Sequence, residues 1–154
     1  LNPLIKSFSI PSLVHGVMFT KSLPGNGYGM HGDNPYMPEG RSDLSFTLFL
    51  SEPESYEGGN LCIETINETK KIKLSAGEMI IYPSTKLHSV SKVEEGERYV
   101  CVGWIQSYVQ NNEDRNFLFG LDAGAKGLLA KHGRSDELDL IFQAYSNLLR
   151  RLGN

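Results

Sequence analysis

The chain has 154 residues, 40% of them hydrophobic and 21% charged, with a formal net charge of −3. That length suits one domain with a sizeable core, and the mild charge leaves no electrostatic footprint for a nucleic acid or an anionic membrane. No apolar run approaches the roughly 20 residues that span a bilayer; no charged-then-apolar leader opens the chain, and the missing initial Met suits a processed form or a chain lacking an N-terminal piece.

Residues 13–106 have a strand-like texture. "SLVHGVMF" is a β-prone run whose His15 reads as a core or edge histidine. "NGYGMHGDNPYM", residues 26–37, carries His31 and Asp33 with Gly32 between them. "DLSFTLFL" sets Leu44, Phe46, Leu48 and Leu50 on one face and Ser45 and Thr47 on the other. "NLCIETI", "KIKLS" and "EMIIYP" are further short β runs, separated by the turns "YEGG", "NETK" and "SAGE". "HSVSKV" and "ERYVCVGWIQ" follow. Many short strands at this spacing predict an antiparallel sandwich or barrel. Cys62 and Cys101 fall inside these apolar runs and read as small buried hydrophobes, with a disulfide as the alternative; a cytoplasmic location is expected.

From residue 111 the period changes. Leu138, Ile141, Phe142, Tyr145, Leu148, Leu149 and Leu152 recur at helical spacing. Ser135 can cap the start of that helix, Asp136 and Glu137 suit its positive end, Arg150 and Arg151 its negative end, and Gly153 its stop. A shorter helix is expected within 112–131, with His132 at its end and Gly133 after it. There is no repeat or linker, so one domain is expected: a β core over 1–110 and a helical extension over 111–154 packed on the outside of the sheet.

A His-x-Asp pair is a common accident of sequence, but in a strand residues i and i+2 share a face, so His31 and Asp33 converge. An imidazole nitrogen beside a carboxylate oxygen suits a borderline divalent metal such as iron(II). Among the other histidines His88 is best placed, since it starts a strand and points inward by alternation. The connection "EEG" fits a three-residue hairpin with Gly96 left-handed, which pairs Lys92 with Arg98 and sets Arg98 on the face of His88, four residues away. Four residues is roughly 13 Å. An arginine there cannot reach the metal, but its planar fork can hold the far carboxylate of a short diacid chelated by the metal. Two histidines and a carboxylate form a facial triad that leaves open positions, the pattern of non-heme iron(II) oxygenases. Tyr28, Tyr36 and Tyr82 are candidate pocket groups, each equally readable as packing. The Pro- and Gly-rich 34–41, "NPYMPEGR", is expected to border a substrate entrance.

Four stretches carry a resemblance: "YGMHGDN", "GRSDLSFTLFLSEPESYEGGNLCIE", "LSAGEMIIYPSTKLHSVSKVEEGERYVCVGWIQS" and the tail "YSNLLRR". With them the chain resembles the iron(II)/2-oxoglutarate dioxygenase superfamily, and more closely the bacterial prolyl/lysyl-type (PKHD-type) hydroxylases. The resemblance implies a mainly β fold, a double-stranded β-helix (jelly roll, cupin-like) with flanking α-helices. It implies His31, Asp33 and His88 as iron ligands and Arg98 for the 2-oxoglutarate C5 carboxylate; Tyr82 stays a candidate from its own chemistry, for 2-oxoglutarate or for support around the ligands. The cofactors it implies are Fe(2+), with 2-oxoglutarate and O2 as co-substrates and L-ascorbate as a candidate addition. A small molecule or a protein or peptide is the expected substrate, with no nucleic acid or membrane partner and a homodimer as candidate assembly. The family usually carries a longer N-terminal region, and Val commonly stands where this chain has Gly32, a change expected to loosen the strand without removing a ligand. Two other readings remain: a non-catalytic metal-binding jelly roll, as a sensor or store, and a metal-free interaction domain.

Overall fold

Strand-forming residues on both faces of a segment demand burial on both sides, and Leu44–Phe49 meets that demand: nearly every one of its residues is buried. In the computed structural model, which describes residues 2–154, that segment is β3 of a chain with this order. Helix α1 (Pro3–Ser9) precedes β1 (Pro11–Ser22), β2 (Tyr28–His31), β3 (Leu44–Phe49), β4 (Tyr56–Gly58), β5 (Leu61–Glu64), β6 (Thr69–Ile72), β7 (Met79–Pro83), β8 (His88–Val90), β9 (Val93–Gly96) and β10 (Arg98–Ser107). Helices α2 (Asn112–His132) and α3 (Asp136–Leu152) close the chain.

The strands form two four-stranded sheets, in the orders β1-β10-β3-β7 and β2-β8-β5-β6, and a ribbon of β4 with β9. The recorded ladders are antiparallel. This is the mainly β jelly roll that the sequence predicts. Phe49, Tyr82 and Val100 from the first sheet meet Leu61 and Ile63 from the second in one buried cluster. Each such side chain contributes on the order of 1.5–3 kcal/mol by leaving water.

The chain divides into two compact units, one contiguous over 13–106 and one joining 1–12 to 107–154. In the second, Ile10, Val109 and Leu118 are buried together, with Tyr145, Leu149 and Leu152 against them. The rings of Phe8 and Phe119 meet edge to face at 5.7 Å. Asn111 caps α2 through its side-chain oxygen, and Ser135 caps α3.

Three expectations need correction. Helix α2, at 21 residues, is longer than α3 at 17; its weak apolar periodicity hid its length. "YEGG" is more than a turn, because Tyr56–Gly58 is a strand. The "EEG" hairpin is absent, and Lys92 does not pair with Arg98: β9 pairs with β4, setting Tyr56 opposite Gly96 and Gly58 opposite Val93. The amide and carbonyl of Val93 go to Asn26 and Gly25, so its backbone groups are already used. Gly96 does take a left-handed φ of 76°, but there the chain leaves the β4 ribbon and enters the other sheet. His88 and Arg98 therefore belong to different sheets.

Candidate metal centre

His31 is the last residue of β2 and His88 the first of β8, and the two are opposite each other in the ladder. Their rings lie 4.3 Å apart. Asp33 lies two residues past the end of β2, outside any strand, so the pair does not share the single strand expected of it. It still turns back: its Oδ1 is 3.6 Å from Nε2 of His31 and 3.6 Å from Nε2 of His88. One donor atom from each residue lies within 4.8 Å of the others.

The local hydrogen bonds set the chemistry of these donors. Nδ1 of His31 is 2.8 Å from the carbonyl of Gly29, and Nδ1 of His88 is 2.9 Å from that of Lys86. A carbonyl only accepts, so each Nδ1 donates there, and Nε2 is the nitrogen of each ring that faces Asp33 and is placed to serve as a metal ligand. Asp33 Oδ2 accepts from Ser45 Oγ at 2.5 Å, and Ser45 Oγ lies 2.7 Å from Ser84 Oγ. That leaves Oδ1 as the oxygen that faces the histidines. Two imidazole Nε2 atoms and one carboxylate oxygen, each side chain held from behind, fit a divalent metal of the iron(II) kind.

Ser45 and Ser84 were not anticipated. The signal was available in "DLSFTLFL": small hydroxyl residues alternate with large apolar ones in a strand buried on both faces, so the hydroxyl face is buried too. Ser45 and Thr47 are both buried there.

The Tyr82 ring meets that of His88 at 5.2 Å, edge to face. Burial first, and then the Asp33 carboxylate, push its hydroxyl well above the ordinary phenol value, against Thr47 and Arg98. Tyr82 thus stays a protonated donor, within electrostatic reach of both Asp33 and Arg98. Arg98 is 3% exposed. Burial lowers its guanidinium from the ordinary value while Tyr56 and Tyr82 raise it, and it lies over the Phe49 ring at 5.8 Å.

Tyr28 is exposed, but its ring edge meets His31 at 4.5 Å. Tyr36 is exposed on the loop 34–41, which is braced at its far end. There the Arg41 carbonyl lies 2.9 Å from His15 Nε2, the Arg41 amide donates to Gln106, and the Arg41 guanidinium donates twice to Asp43. Ser42 Oγ donates to the Asn34 carbonyl. His15 is thus a buried strut of β1, stacked on Trp104 at 6.4 Å. His132 lies in the last turn of α2. Neither belongs to the metal-type cluster found among the described residues.

Residues 17–106 match the model of the 2OG-Fe(II) oxygenase superfamily. A PKHD-type hydroxylase of Prochlorococcus marinus strain NATL2A is 83% identical over 153 residues, covering 99% of this chain and 69% of the relative. Among solved structures, a Pseudomonas putida prolyl-4-hydroxylase is similar with a TM-score of 0.54 and 23% identity, over 65% of this chain and 56% of that one. An oxidoreductase of the 2OG-Fe(II) oxygenase family from Burkholderia pseudomallei gives 0.54 at 19% identity, over 61% and 43%. The chain thus spans about two thirds of that curated relative and about half of these solved chains. A family match that contains both histidines, the aspartate and the buried arginine, joined to near-complete coverage by a close relative, shows that the chain belongs to the 2OG-Fe(II) oxygenase superfamily.

Proposed function

We propose that this protein is an iron(II)- and 2-oxoglutarate-dependent hydroxylase acting on a C–H bond, with a prolyl or lysyl residue of a protein or peptide as the favoured substrate. One observation carries the reading: His31, Asp33 and His88 bring two imidazole nitrogens and one carboxylate oxygen together, while the buried Arg98 interacts electrostatically with Tyr82, whose ring meets that of His88. A metal store or sensor has no use for that buried arginine.

In this reading His31, Asp33 and His88 hold the metal. The bound iron supplies the coupling of 2-oxoglutarate decarboxylation, to succinate and carbon dioxide, with hydroxylation by dioxygen. The remaining work belongs to the chain. Ser45 occupies Oδ2 of Asp33, so Asp33 offers one oxygen and the open positions stay open. Asp33 also fills the position that a halide would need, which favours hydroxylation over halogenation. Arg98 pairs with the C5 carboxylate in two-point fashion, fixing the direction in which 2-oxoglutarate enters. Tyr82 donates its hydroxyl towards that co-substrate or braces His88. Tyr28 and the loop 34–41 border the substrate entrance, and the bracing of Arg41 keeps that loop in shape.

L-ascorbate is the proposed reductant that keeps the iron ferrous. The free, buried Cys62 and Cys101 suit a reducing compartment, and the cytoplasm is the proposed location. No helix among the described residues is long and apolar enough to cross a membrane. A homodimer would cover Val17, Met18 and Phe19, exposed on the edge strand β1.

Anaerobic addition of iron(II) and 2-oxoglutarate tests the reading. A weak visible charge-transfer band is expected; its absence under reducing conditions would overturn the proposal. His88→Ala should lose the metal, whereas Arg98→Ala should keep it and lose 2-oxoglutarate affinity. Incubation of a lysate with the loaded enzyme, followed by a search for +16 Da products, identifies the substrate.

A further inference from the structure

Loop 34–41 is a small hairpin rather than a slack connection. Tyr36 bridges Arg41, and Met37 and Gly40 exchange backbone hydrogen bonds of 2.8 and 3.2 Å around Pro38 and Glu39. One leg starts beside Asp33, and the legs are tied again where the Ser42 amide donates to the Pro35 carbonyl at 3.1 Å. The turn lies close on β1 and β10. A Cβ on Gly40 would stand 2.7 Å from Gln106 Oε1, 3.1 Å from Leu13 Cδ2 and 3.5 Å from His15 Nε2, so only glycine lets the chain approach this closely.

His15, which is 5% exposed, meets this hairpin with both nitrogens but is satisfied at one. Nε2 donates to the Arg41 carbonyl at 2.9 Å. Nδ1 is buried and has no hydrogen-bond partner, and native structures leave few such atoms without a reason. Glu39 Oε2, on the exposed turn, stands 3.9 Å from Nδ1, too far for a hydrogen bond and near enough for an ion pair. In a neutral ring that already donates through Nε2, Nδ1 is an acceptor beside an acceptor. In an imidazolium it is a donor beside a carboxylate. The other charged neighbour is Arg41, whose guanidinium is drawn to Asp43 by two hydrogen bonds. From β10 the groups at this place are Trp104, stacked on the ring at 6.4 Å, and the neutral Gln106; β1 adds the apolar Leu13.

We propose that His15 is a positioning residue with a charge-dependent grip: it holds the hairpin through Arg41 at any pH, and once protonated it also pairs with Glu39 and fastens the turn to β1. This rests on the reading that 34–41 borders the substrate entrance, and it adds regulation to that entrance. The rim bearing the exposed Tyr36 is held more tightly as the pH falls through the range in which histidines take up a proton, roughly pH 8 to 5. A histidine that merely filled space would hold the loop equally well across that range.

Hydrogen exchange over residues 34–42 tests the grip, read by mass spectrometry near pH 5.5 and near pH 8 (both about the limits of histidine titration). The ratio of the Glu39→Gln rate to the unaltered rate at one pH cancels the intrinsic pH dependence of exchange. That ratio should be about two- to five-fold near the lower pH and one near the higher. His15→Gln keeps a donor in the place of Nε2 but takes no charge. It should retain the protection seen near the higher pH, and in its background Glu39→Gln should change nothing. His15→Leu should loosen 34–42 at both pH values, with a thermal melt to check that it folds. Trp104, the chain's one tryptophan, gives a separate signature, because an imidazolium stacked on an indole quenches its emission. The unaltered protein should dim as the pH falls. An exchange ratio that is the same at both pH values, one that survives in the His15→Gln background, or emission that stays constant overturns the proposal. Neither readout needs iron or 2-oxoglutarate. A grip that fails while the charge-transfer band appears leaves the hydroxylase reading standing, and a grip that holds while the band is absent removes that reading alone.

Discussion

Ser45 holds the oxygen of Asp33 that does not face the histidines. Removing its hydroxyl frees that oxygen to swing and leaves Ser84 without its partner. Ser45→Ala should therefore lower metal affinity by about 10- to 100-fold while the fold survives, as read by manganese(II) titration beside a thermal melt. Gly32 predicts the opposite outcome. A Cβ there would meet only Cδ2 of Leu87, at 3.9 Å, and its backbone is outside the left-handed region. Gly32→Ala should keep metal affinity and gain about 0.4–1 kcal/mol of stability by restricting the unfolded chain, seen as a small rise in melting temperature. The candidate ligands were legible only as a set: His31 and Asp33 are a common pair, and it was His88 at the start of a strand that supplied a third donor. Ser45 and Ser84 were not, because a hydroxyl residue has many ordinary uses and only the fold reveals which one is made.

Elements were legible where periodicity was strong and failed where a turn signal had two solutions. The face of β10 was read correctly: Arg98 and Val100 are buried and Val102 packs beside Val100. The route to that face was wrong, since glycine with φ > 0 serves a hairpin and a change of sheet equally well. At the start of β10 an exposed cluster ties it to β1: Lys21 Nζ is 2.8 Å from Glu97, and the Tyr99 hydroxyl donates to Glu97 at 2.5 Å. The hydrogen bond from Lys21 and then that from Tyr99 lower Glu97 from the ordinary carboxylate value. A lowered carboxylate contributes stability above its unfolded value and loses it as the pH falls through its folded value. The melting temperatures of the unaltered protein and Glu97→Gln should thus differ at neutral pH and converge in acid. A gap that persists unchanged at low pH would sink the assignment.

For the whole molecule, the succession of strands followed by helices was plain from the change of period, but α1 was not foreseen, because seven residues are too few to show a helical stripe. All the proposed metal ligands and Arg98 fall within 13–106, and none within the helical unit. A metal that binds only the folded state stabilises it by mass action, about 2.7 kcal/mol at a hundred times its Kd. Manganese(II) should slow hydrogen exchange around 28–33 and 88–90, and a chelator should reverse the effect. Exchange in α2 and α3 should change far less, unless the two units unfold together.

The helical unit is made from the two ends of the chain, whereas the strand-bearing unit is unbroken. Synthesis runs from one end only. The ribosome therefore releases every proposed ligand before it releases the helix on which α1 will pack, since Phe8 must wait for Phe119. During that interval the jelly-roll unit can close and bind its ion while the Phe8 ring of α1 still lacks Phe119. The order of translation thus separates the birth of the proposed chemistry from the assembly of the helical unit.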